Sequence, residues 1–462
     1  MAHSIDEVLL SRYDRPGPRY TSYPTAVQFH AGMDAASYEQ AARRSGAVQQ
    51  PMSLYIHVPF CESPCFYCGC TKVITRDHTS ARRYLTHLFA ETERQGALFA
   101  PQRPVDQLHF GGGTPTFLSD REILEVLKHL ARHFSIHARP EREYSIEIDP
   151  RTVSVDRLRT LVELGFNRIS LGVQDFDPAV QRAVNRVQDE EHVLSLIGGA
   201  RDLSIDSISI DLIYGLPNQT IGSYSRTLDT VIAARPDRIS AYSYAHLPQL
   251  FKPQKQIKEC DLPTAAAKLE LLVLIIEKLT AAGYVYVGMD HFALPDDELV
   301  RAQRAGTLQR NFQGYSTYAD CDLVALGVSG ISKVGDVYAQ NARTLKEYYR
   351  LIDLGTLAIQ RGIALNEDDR IRRQVIQRLM CSARIDFAQF DADYKIDFEN
   401  YFSRELIALE PLVIDGLVVR NGRSIEMTAR GRLLMRNVAM VFDAYLPANS
   451  DAAVRTPFSR AV

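Results

Sequence analysis

Residues 54–70, LYIHVPFCESPCFYCGC, decide how the rest of the chain is read. A β-branched and aromatic run, Leu54–Val58, gives way at Pro59 to a loop with Cys61, Cys65, Cys68 and Cys70 inside ten residues. The first part has the composition of a strand. The second part, Cys61-x3-Cys65-x2-Cys68, offers three thiols in a loop short enough to wrap one face of a cubane iron–sulfur cluster. Electron-transfer clusters take four cysteines, so three leave one iron open to an exchangeable ligand. The alternative is a structural zinc with Cys70 closing a tetrahedral site. Structural zinc sites usually come as two separated Cys pairs, and no second pair follows. On the cysteines alone both readings stand.

Working outward, β-branched or aromatic runs recur at 105–110, 144–148, 168–173, 207–213 and 238–244. Between them lie stretches with helical spacing of apolar residues, such as Tyr84, Leu85, Leu88 and Phe89, then Ile123, Leu124, Leu127 and Leu130. Strands alternating with helices predict βαβ units and a parallel sheet. Six units in series predict an α/β barrel or partial barrel. The unusual residues fall at the predicted strand ends. The cysteines follow the first strand and Gly111-Gly112-Gly113-Thr114 the second. Glu147 and Asp149-Pro150 close the third, Gly172-Val173-Gln174-Asp175 the fourth. Asp211 and Gly215-Leu216-Pro217 mark the fifth, and Ala245-His246 the sixth. Right-handed crossovers gather these ends on one rim, where barrel enzymes carry their active sites. Glu147 alternates with Ile146 and Ile148, so it faces the barrel interior if the isoleucines face the helices. A carboxylate there is costly unless bonded. Asp211, in an apolar strand, reads either as a satisfied core acid or as a ligand. The glycine run reads equally as a turn or as a close backbone approach. Arg186, taken alone, reads as a solvated charge.

The chain has 462 residues, 53 Lys+Arg against 56 Asp+Glu and a net charge of −3, which excludes an evident polyanion binder. Hydrophobic residues at 46% and charged residues at 24% exclude a disordered chain. At about 150 residues per domain the length predicts two to three domains. Pattern changes near residues 51 and 361 divide the chain into an N-terminal arm (1–50), expected to cover the site on the rim, a βα barrel with rim loops (51–360), expected to be the catalytic part, and a C-terminal helical domain (361–462). The arm contains RYDRPGPRYTSYPTA (12–26), whose three prolines argue against regular structure. The C-terminal part pairs helices with a hairpin around Asn421-Gly422, a type I′ signal, and Thr428 is placed to cap the helix that follows. This winged-helix-like pattern invites a DNA-binding reading. From Arg361 onward, however, there are fifteen Lys+Arg and fourteen Asp+Glu, without the basic excess such domains carry. The apolar run 271–276 is far short of a membrane span. The N-terminal MAHSIDEVLL has neither a basic n-region nor a long apolar stretch, so a cytoplasmic protein without membrane insertion is expected. Cys260, Cys321 and Cys381 read as small buried hydrophobes.

C-x3-C-x2-C after a first strand, with Gly112-Gly113-Thr114-Pro115 after a second, resembles the radical S-adenosylmethionine enzymes. More closely, the chain resembles the family of oxygen-independent coproporphyrinogen III oxidases. Tyr55-Ile56-His57-Val58-Pro59-Phe60-Cys61, Cys68-Gly69-Cys70 and Arg19-Tyr20-Thr21-Ser22-Tyr23-Pro24-Thr25 carry that resemblance. So do 172–176 GVQDF, 211–217 DLIYGLP, 244–248 YAHLP, 288–292 GMDHF and 311–315 NFQGY. It spans nearly the whole chain. It implies a radical SAM partial (β/α)6 TIM-like barrel with an N-terminal arm and a mainly helical, winged-helix-like C-terminal domain. It further implies a [4Fe-4S] cluster held by Cys61, Cys65 and Cys68, whose unique iron chelates S-adenosylmethionine. One electron then releases a 5′-deoxyadenosyl radical, which abstracts hydrogen from a propionate β-carbon. Rings A and B of coproporphyrinogen III become vinyl-bearing, giving protoporphyrinogen IX in haem biosynthesis. The implied contacts of a first S-adenosylmethionine are Tyr55, Tyr67, Gly112, Glu147 and Ile331. Those of a second are Gly113, Thr114, Gln174, Arg186, Asp211 and Ala245. Cys70 fits the family's Cys-Gly-Cys without being a ligand, and Tyr67 stands where the family pattern has phenylalanine. The expected partners are coproporphyrinogen III, a low-potential electron donor and an electron acceptor, with the chain a monomer and no nucleic acid bound. For the substrate carboxylates Arg15, Arg19, Lys72 and Arg310 are candidates, with the arm expected to fold over the rim. The rival within the superfamily is a haem chaperone without oxidase activity. Such chaperones usually lack the counterpart of Cys70 and the Arg-Tyr-Thr-Ser-Tyr-Pro arm, and this chain has both. A zinc-stabilised binding protein is the more distant rival.

Overall fold

In the computed structural model, which describes residues 9, 12–46, 50–136, 142–318, 321–446 and 458–460, strands and helices alternate from residue 52. They run β1 (Met52–Val58), α1 (Thr79–Gly96), β2 (Pro104–Gly112), α2 (Asp120–His133), β3 (Glu143–Ile148) and α3 (Val155–Glu163). The series continues with β4 (Arg168–Gln174), α4 (Glu190–Asp202), β5 (Ser207–Tyr214), α5 (Ile221–Ala234), β6 (Arg238–Ser243) and α6 (Ala265–Ala281). The N-terminal stretch read for a leader lies, apart from Leu9, outside the described residues. Helix starts are set locally. Ser119 and Glu122 form a reciprocal capping box at α2, Thr220 and Ser223 do so at α5, and Asp189 caps α4.

The six strands pair in parallel in sequence order. Beyond β6 the sheet adds antiparallel β7 (Val285–Gly288) and β8 (His291–Ala293). Beyond β1 it adds the parallel β9 (Asp322–Leu326), then antiparallel β10 (Ile331–Val334), β11 (Val337–Asn341) and β12 (Ile359–Ala364). The outermost strands β7 and β12 do not pair, so the barrel is partial. A separate two-stranded hairpin, Gln309–Asn311 with Gly314–Ser316, lies between β8 and β9 in sequence.

Alternation along β3, β4 and β5 explains both the sheet's stability and its hollow centre. Ile146, Ile148, Ile169, Leu171, Val173, Ile208, Ile210 and Leu212 are at most 3% exposed in the barrel core. Each such side chain contributes about 1.5–3 kcal/mol by leaving water. The intervening residues Ser145, Glu147, Ser170, Gly172, Ser209 and Asp211 are only partly buried. A closed (β/α)8 barrel fills its interior with branched side chains. Here serines, a glycine and acids occupy those positions and line cavities instead.

The C-terminal part comprises α7 (Glu367–Ser382), β13 (Arg384–Asp386), β14 (Val418–Arg420), β15 (Ser424–Met427) and α8 (Met435–Met440), with short helices between. β15 pairs antiparallel with both β13 and β14. The hairpin turn differs from the expected type I′. Asn421 and Ser424 pair through both backbone bonds, and of the turn residues only Gly422 has a positive φ, 53°. The two-residue loop is therefore Gly422-Arg423, and the left-handed conformation falls on the first loop position, as in type II′. Thr428 caps Ala429–Leu433, accepting from the Gly431 N–H, and the chain breaks at Leu434 before α8.

Two large apolar cores result among the described residues. The larger lies between the sheet and its helices, and the second fills the C-terminal part. Tyr13, Tyr20 and Tyr23 of the arm are buried in the second core. The Tyr13 hydroxyl donates to Asp415 (2.5 Å) and the Tyr20 hydroxyl to Asp443 (2.9 Å), while Arg436 donates to the carbonyls of Gly17 and Pro18. Cys381 is buried and Cys321 partly buried, but Cys260 is exposed, because it sits in the surface turn Glu259–Asp261. Among the described residues no helix is long and apolar enough to cross a membrane.

Candidate active site

The C-terminal ends of β1 to β5 surround a cavity of about 350 Å3. Eleven of the fourteen expected site residues line it: Cys61, Cys65, Cys68, Tyr67, Gly112, Gly113, Thr114, Glu147, Gln174, Arg186 and Asp211. Tyr55, Ala245 and Ile331 do not. The Tyr55 hydroxyl pairs with His57 Nδ1 (3.1 Å), and its ring stacks on His109. Ala245 borders a neighbouring cavity with Gly215 and Lys268. Its carbonyl shares the Gln254 side-chain amide (3.2 Å) with the carbonyl of Tyr67 (2.9 Å). Ile331 begins β10 and packs near Phe29 and Tyr338.

The three thiols differ in environment. Burial pushes Cys61 up to about 11, although the Thr114 hydroxyl donates to its sulfur at 3.4 Å. The neighbouring Cys70, with the Lys72 ammonium nearby, outweighs burial at Cys68 and holds it below the ordinary thiol range. Lys72 itself donates to the Cys68 carbonyl (3.1 Å), which ties it to the cysteine loop. The sulfur of Cys65 lies 3.4 Å from Arg186 Nη1 and 3.8 Å from Arg151 Nη2. Two guanidiniums beside a sulfur suit a ligand set that must become anionic on binding iron.

Arg186 is buried, with Asp149 at 3.2 Å and the Gly172 carbonyl at 2.5 Å. Burial opposes its charge, but Tyr67, Asp149 and Cys65 together hold its pKa above the ordinary arginine value. Glu147 borders both this cavity and the barrel's inner one. Burial works to raise its pKa, yet His109 (3.0 Å) and the Gly112 N–H (3.1 Å) outweigh that and hold it below the usual carboxylate range. Asp211 has the opposite balance. Burial, helped by the nearby Glu147 charge, pushes it up to about 6 despite the Ser170 hydroxyl at 2.8 Å.

The glycines are constrained from below. Gly112 has φ 115°, and a Cβ there meets the His57 ring at 2.6 Å. A Cβ on Gly113 meets the Phe60 carbonyl oxygen at 2.7 Å. No side chain fits between the second strand end and the start of the cysteine loop, so bare backbone borders the cavity.

Sequence reasoning missed Asp149 and Arg151 as neighbours of Arg186 and Cys65, His109 as the partner of Glu147, and Gln254. His109 alternates with Leu108 and Phe110 in β2, so the argument that turned Glu147 inward applies to it too. Gln254 carries no comparable signal, because its role comes from a loop fold. Of the substrate-carboxylate candidates, Arg15 sits at a turn on the Tyr13 carbonyl, Arg19 ion-pairs with Asp290, and Arg310 is buried.

A model of the radical SAM superfamily matches residues 55–231, and one of the HemN C-terminal domain matches residues 365–434. A cysteine loop after β1 and a polar cavity at the strand ends of a partial barrel thus belong to a radical SAM protein. The oxygen-independent coproporphyrinogen III oxidase of Pseudomonas aeruginosa is 50% identical over 99% of this chain and 98% of its own length. The Escherichia coli K12 protein of that name is 48% identical over 96% of this chain and 95% of its own. The solved structure described as coproporphyrinogen III oxidase (HemN) from Escherichia coli, a radical SAM enzyme, superposes with a TM-score of 0.91 at 47% identity. It covers 96% of this chain and 100% of that one. The chain belongs to the oxygen-independent coproporphyrinogen III oxidase family. Membership implies a [4Fe-4S] cluster and S-adenosylmethionine. The donor set fits both, with three thiols on one loop at the mouth of a cavity that also holds a bonded carboxylate and open backbone.

Proposed function

We propose that this chain catalyses the oxygen-independent oxidative decarboxylation of the ring A and ring B propionates of coproporphyrinogen III, giving protoporphyrinogen IX. The observation that carries the reading is the placement of Cys61, Cys65 and Cys68 on the same cavity as Glu147, Gly112 and Arg186. Cys61, Cys65 and Cys68 hold the cluster, and Cys70 is not a ligand. When bound, the cluster and S-adenosylmethionine supply a 5′-deoxyadenosyl radical. The propionate loses a hydrogen atom from its β-carbon, then CO2 and one electron to an external acceptor, and keeps a vinyl group. Two such events convert one substrate.

Glu147, kept ionised by His109 and Gly112, is suited to the ammonium group of the first S-adenosylmethionine, with Tyr67 and Gly112 beside it. Tyr55 and Ile331 stand outside the cavity, and Tyr55 acts through its stack on His109. A second S-adenosylmethionine lies against Gly113, Thr114, Gln174, Arg186 and Asp211, with Ala245 at its edge. The arm, barrel and C-terminal domain divide near residues 50 and 360. The protein works in the cytoplasm as a monomer, fed by a low-potential donor. These last assignments rest on the family resemblance. Anaerobic turnover with product mass tests the function, and loss of two CO2 per substrate is expected. Haem binding without decarboxylation points to a chaperone, and a colourless reconstituted protein holding one zinc overturns the reading.

A further inference from the structure

Arg310, on the hairpin between β8 and β9, is 3% exposed, yet its Nη1 is buried without a hydrogen-bond partner. Its Nε donates to the Arg19 carbonyl (3.3 Å), and its guanidinium lies 4.9 Å from the Tyr315 ring centroid. Among the described residues it has no carboxylate within ion-pair distance. Two more guanidiniums share its field: Arg19, paired with Asp290, and Arg436, which among the described residues donates to carbonyls and the Ser459 hydroxyl. A buried excess of positive charge in a chain of net charge −3 is costly unless something supplies the anion.

Two connected cavities lie beside these cations. Arg310 borders a cavity of about 50 Å3 together with Thr21, Lys333 and Arg373, and among the described residues that line it none is Asp or Glu. Gln107 is common to this cavity and to the barrel's inner cavity of about 160 Å3, which runs from Glu147 and Asp211 to Tyr242, His291 and Tyr315. Arg19 lies over Tyr242 and Arg310 over Tyr315, with His291 edge-on to both rings. The cationic end thus lies across the barrel interior from the cysteine loop, behind an aromatic wall.

We propose that Arg310 anchors a carboxylate of the tetrapyrrole, a propionate other than the one undergoing decarboxylation. This deepens the functional reading above and rests on it. A guanidinium fork matches a carboxylate through two parallel hydrogen bonds, and the open Nη1 supplies one of them. Holding a remote propionate at this end sets which propionate reaches Glu147 and the cysteine loop.

The test uses reconstituted holoenzyme under anaerobic conditions, with coproporphyrin III and its tetramethyl ester as non-reacting probes followed by their visible absorbance. Wild type is expected to bind the tetra-acid in preference to the ester. Arg310→Met is expected to bind the tetra-acid about 10- to 100-fold more weakly, with ester binding and iron content unchanged. KM for coproporphyrinogen III rises in step while kcat holds. Arg310→Lys is expected to be intermediate. Removal of an unpaired buried charge leaves the melting midpoint of Arg310→Met at or above wild type. Unchanged tetra-acid affinity in Arg310→Met, or in Arg310→Lys should the methionine variant not fold, overturns the proposal. So does equal loss of acid and ester binding. A wild type that binds the ester as well as the acid, with acetate displacing neither, overturns it as well. A wild-type enzyme that does not decarboxylate coproporphyrinogen III instead overturns the functional reading.

Discussion

Replacing Asp211 by asparagine is expected to stabilise the protein while impairing its site. The carboxyl lies on the inward face of β5, beside the charge of Glu147, and burial pushes its pKa up to about 6. The gap from an ordinary aspartate corresponds to about 3 kcal/mol of cost to the ionised form. Asp211 opens onto the cavity, whose water lowers this to about 1–2 kcal/mol. The sign follows from the folded-state value lying above the unfolded one. Below about pH 4 both states are protonated and the group costs nothing. Stability is lost as pH rises from there through 6, and the full cost is present above it. Asparagine keeps an acceptor for the Ser170 hydroxyl and carries no charge, so the variant gains nothing at pH 4 and about 1–2 kcal/mol at pH 8. For a chain of 462 residues that is a rise of about 1–2 °C in melting midpoint, at roughly 2.1 cal/mol/K per residue. Thermal melts from pH 4.5 to 8 without S-adenosylmethionine measure it. Saturating S-adenosylmethionine is expected to shrink the difference, because a sulfonium nearby favours the ionised aspartate. A variant whose advantage is the same at pH 4.5 and 8, or which is less stable throughout, refutes the reasoning.

Alanine at Cys61, Cys65 or Cys68 is expected to abolish the iron–sulfur absorbance of the anaerobically reconstituted protein. Alanine at Cys70 keeps the iron, and iron analysis distinguishes the two outcomes. Glu147→Gln keeps one acceptor but turns an amide donor toward His109 or the Gly112 N–H, so S-adenosylmethionine affinity falls by about 10- to 100-fold at unchanged iron content, measured by equilibrium binding. Asp415→Asn weakens the acceptor of Arg12 and Tyr13 (both bonds 2.5–2.6 Å). It should make the arm more sensitive to proteolysis near Arg12. Equal digestion rates refute the anchoring role.

The sequence was sufficient wherever the deciding interactions are local. Strand composition placed all six parallel strands to within two residues at each boundary. The spacing of Cys61, Cys65 and Cys68 brought three thiols onto one loop, because only six residues separate the first from the last. Alternation in β3 turned Glu147 inward for the same reason. What required the tertiary structure was everything set by contacts across the chain. Arg186 looked like a surface charge until Asp149 and Cys65, 37 and 121 residues away, closed around it. Asn421-Gly422 looked like a type I′ turn until pairing of β14 with β15 put the loop one residue later. The emptiness of the barrel was equally unreadable, since a serine at position 170 or 209 says nothing until the strands converge and no neighbour fills the space. Periodicity gives each side chain its direction. Only the packed fold determines what it meets there, and burial and charge, which set the protonation of Glu147 and Asp211, depend on that meeting.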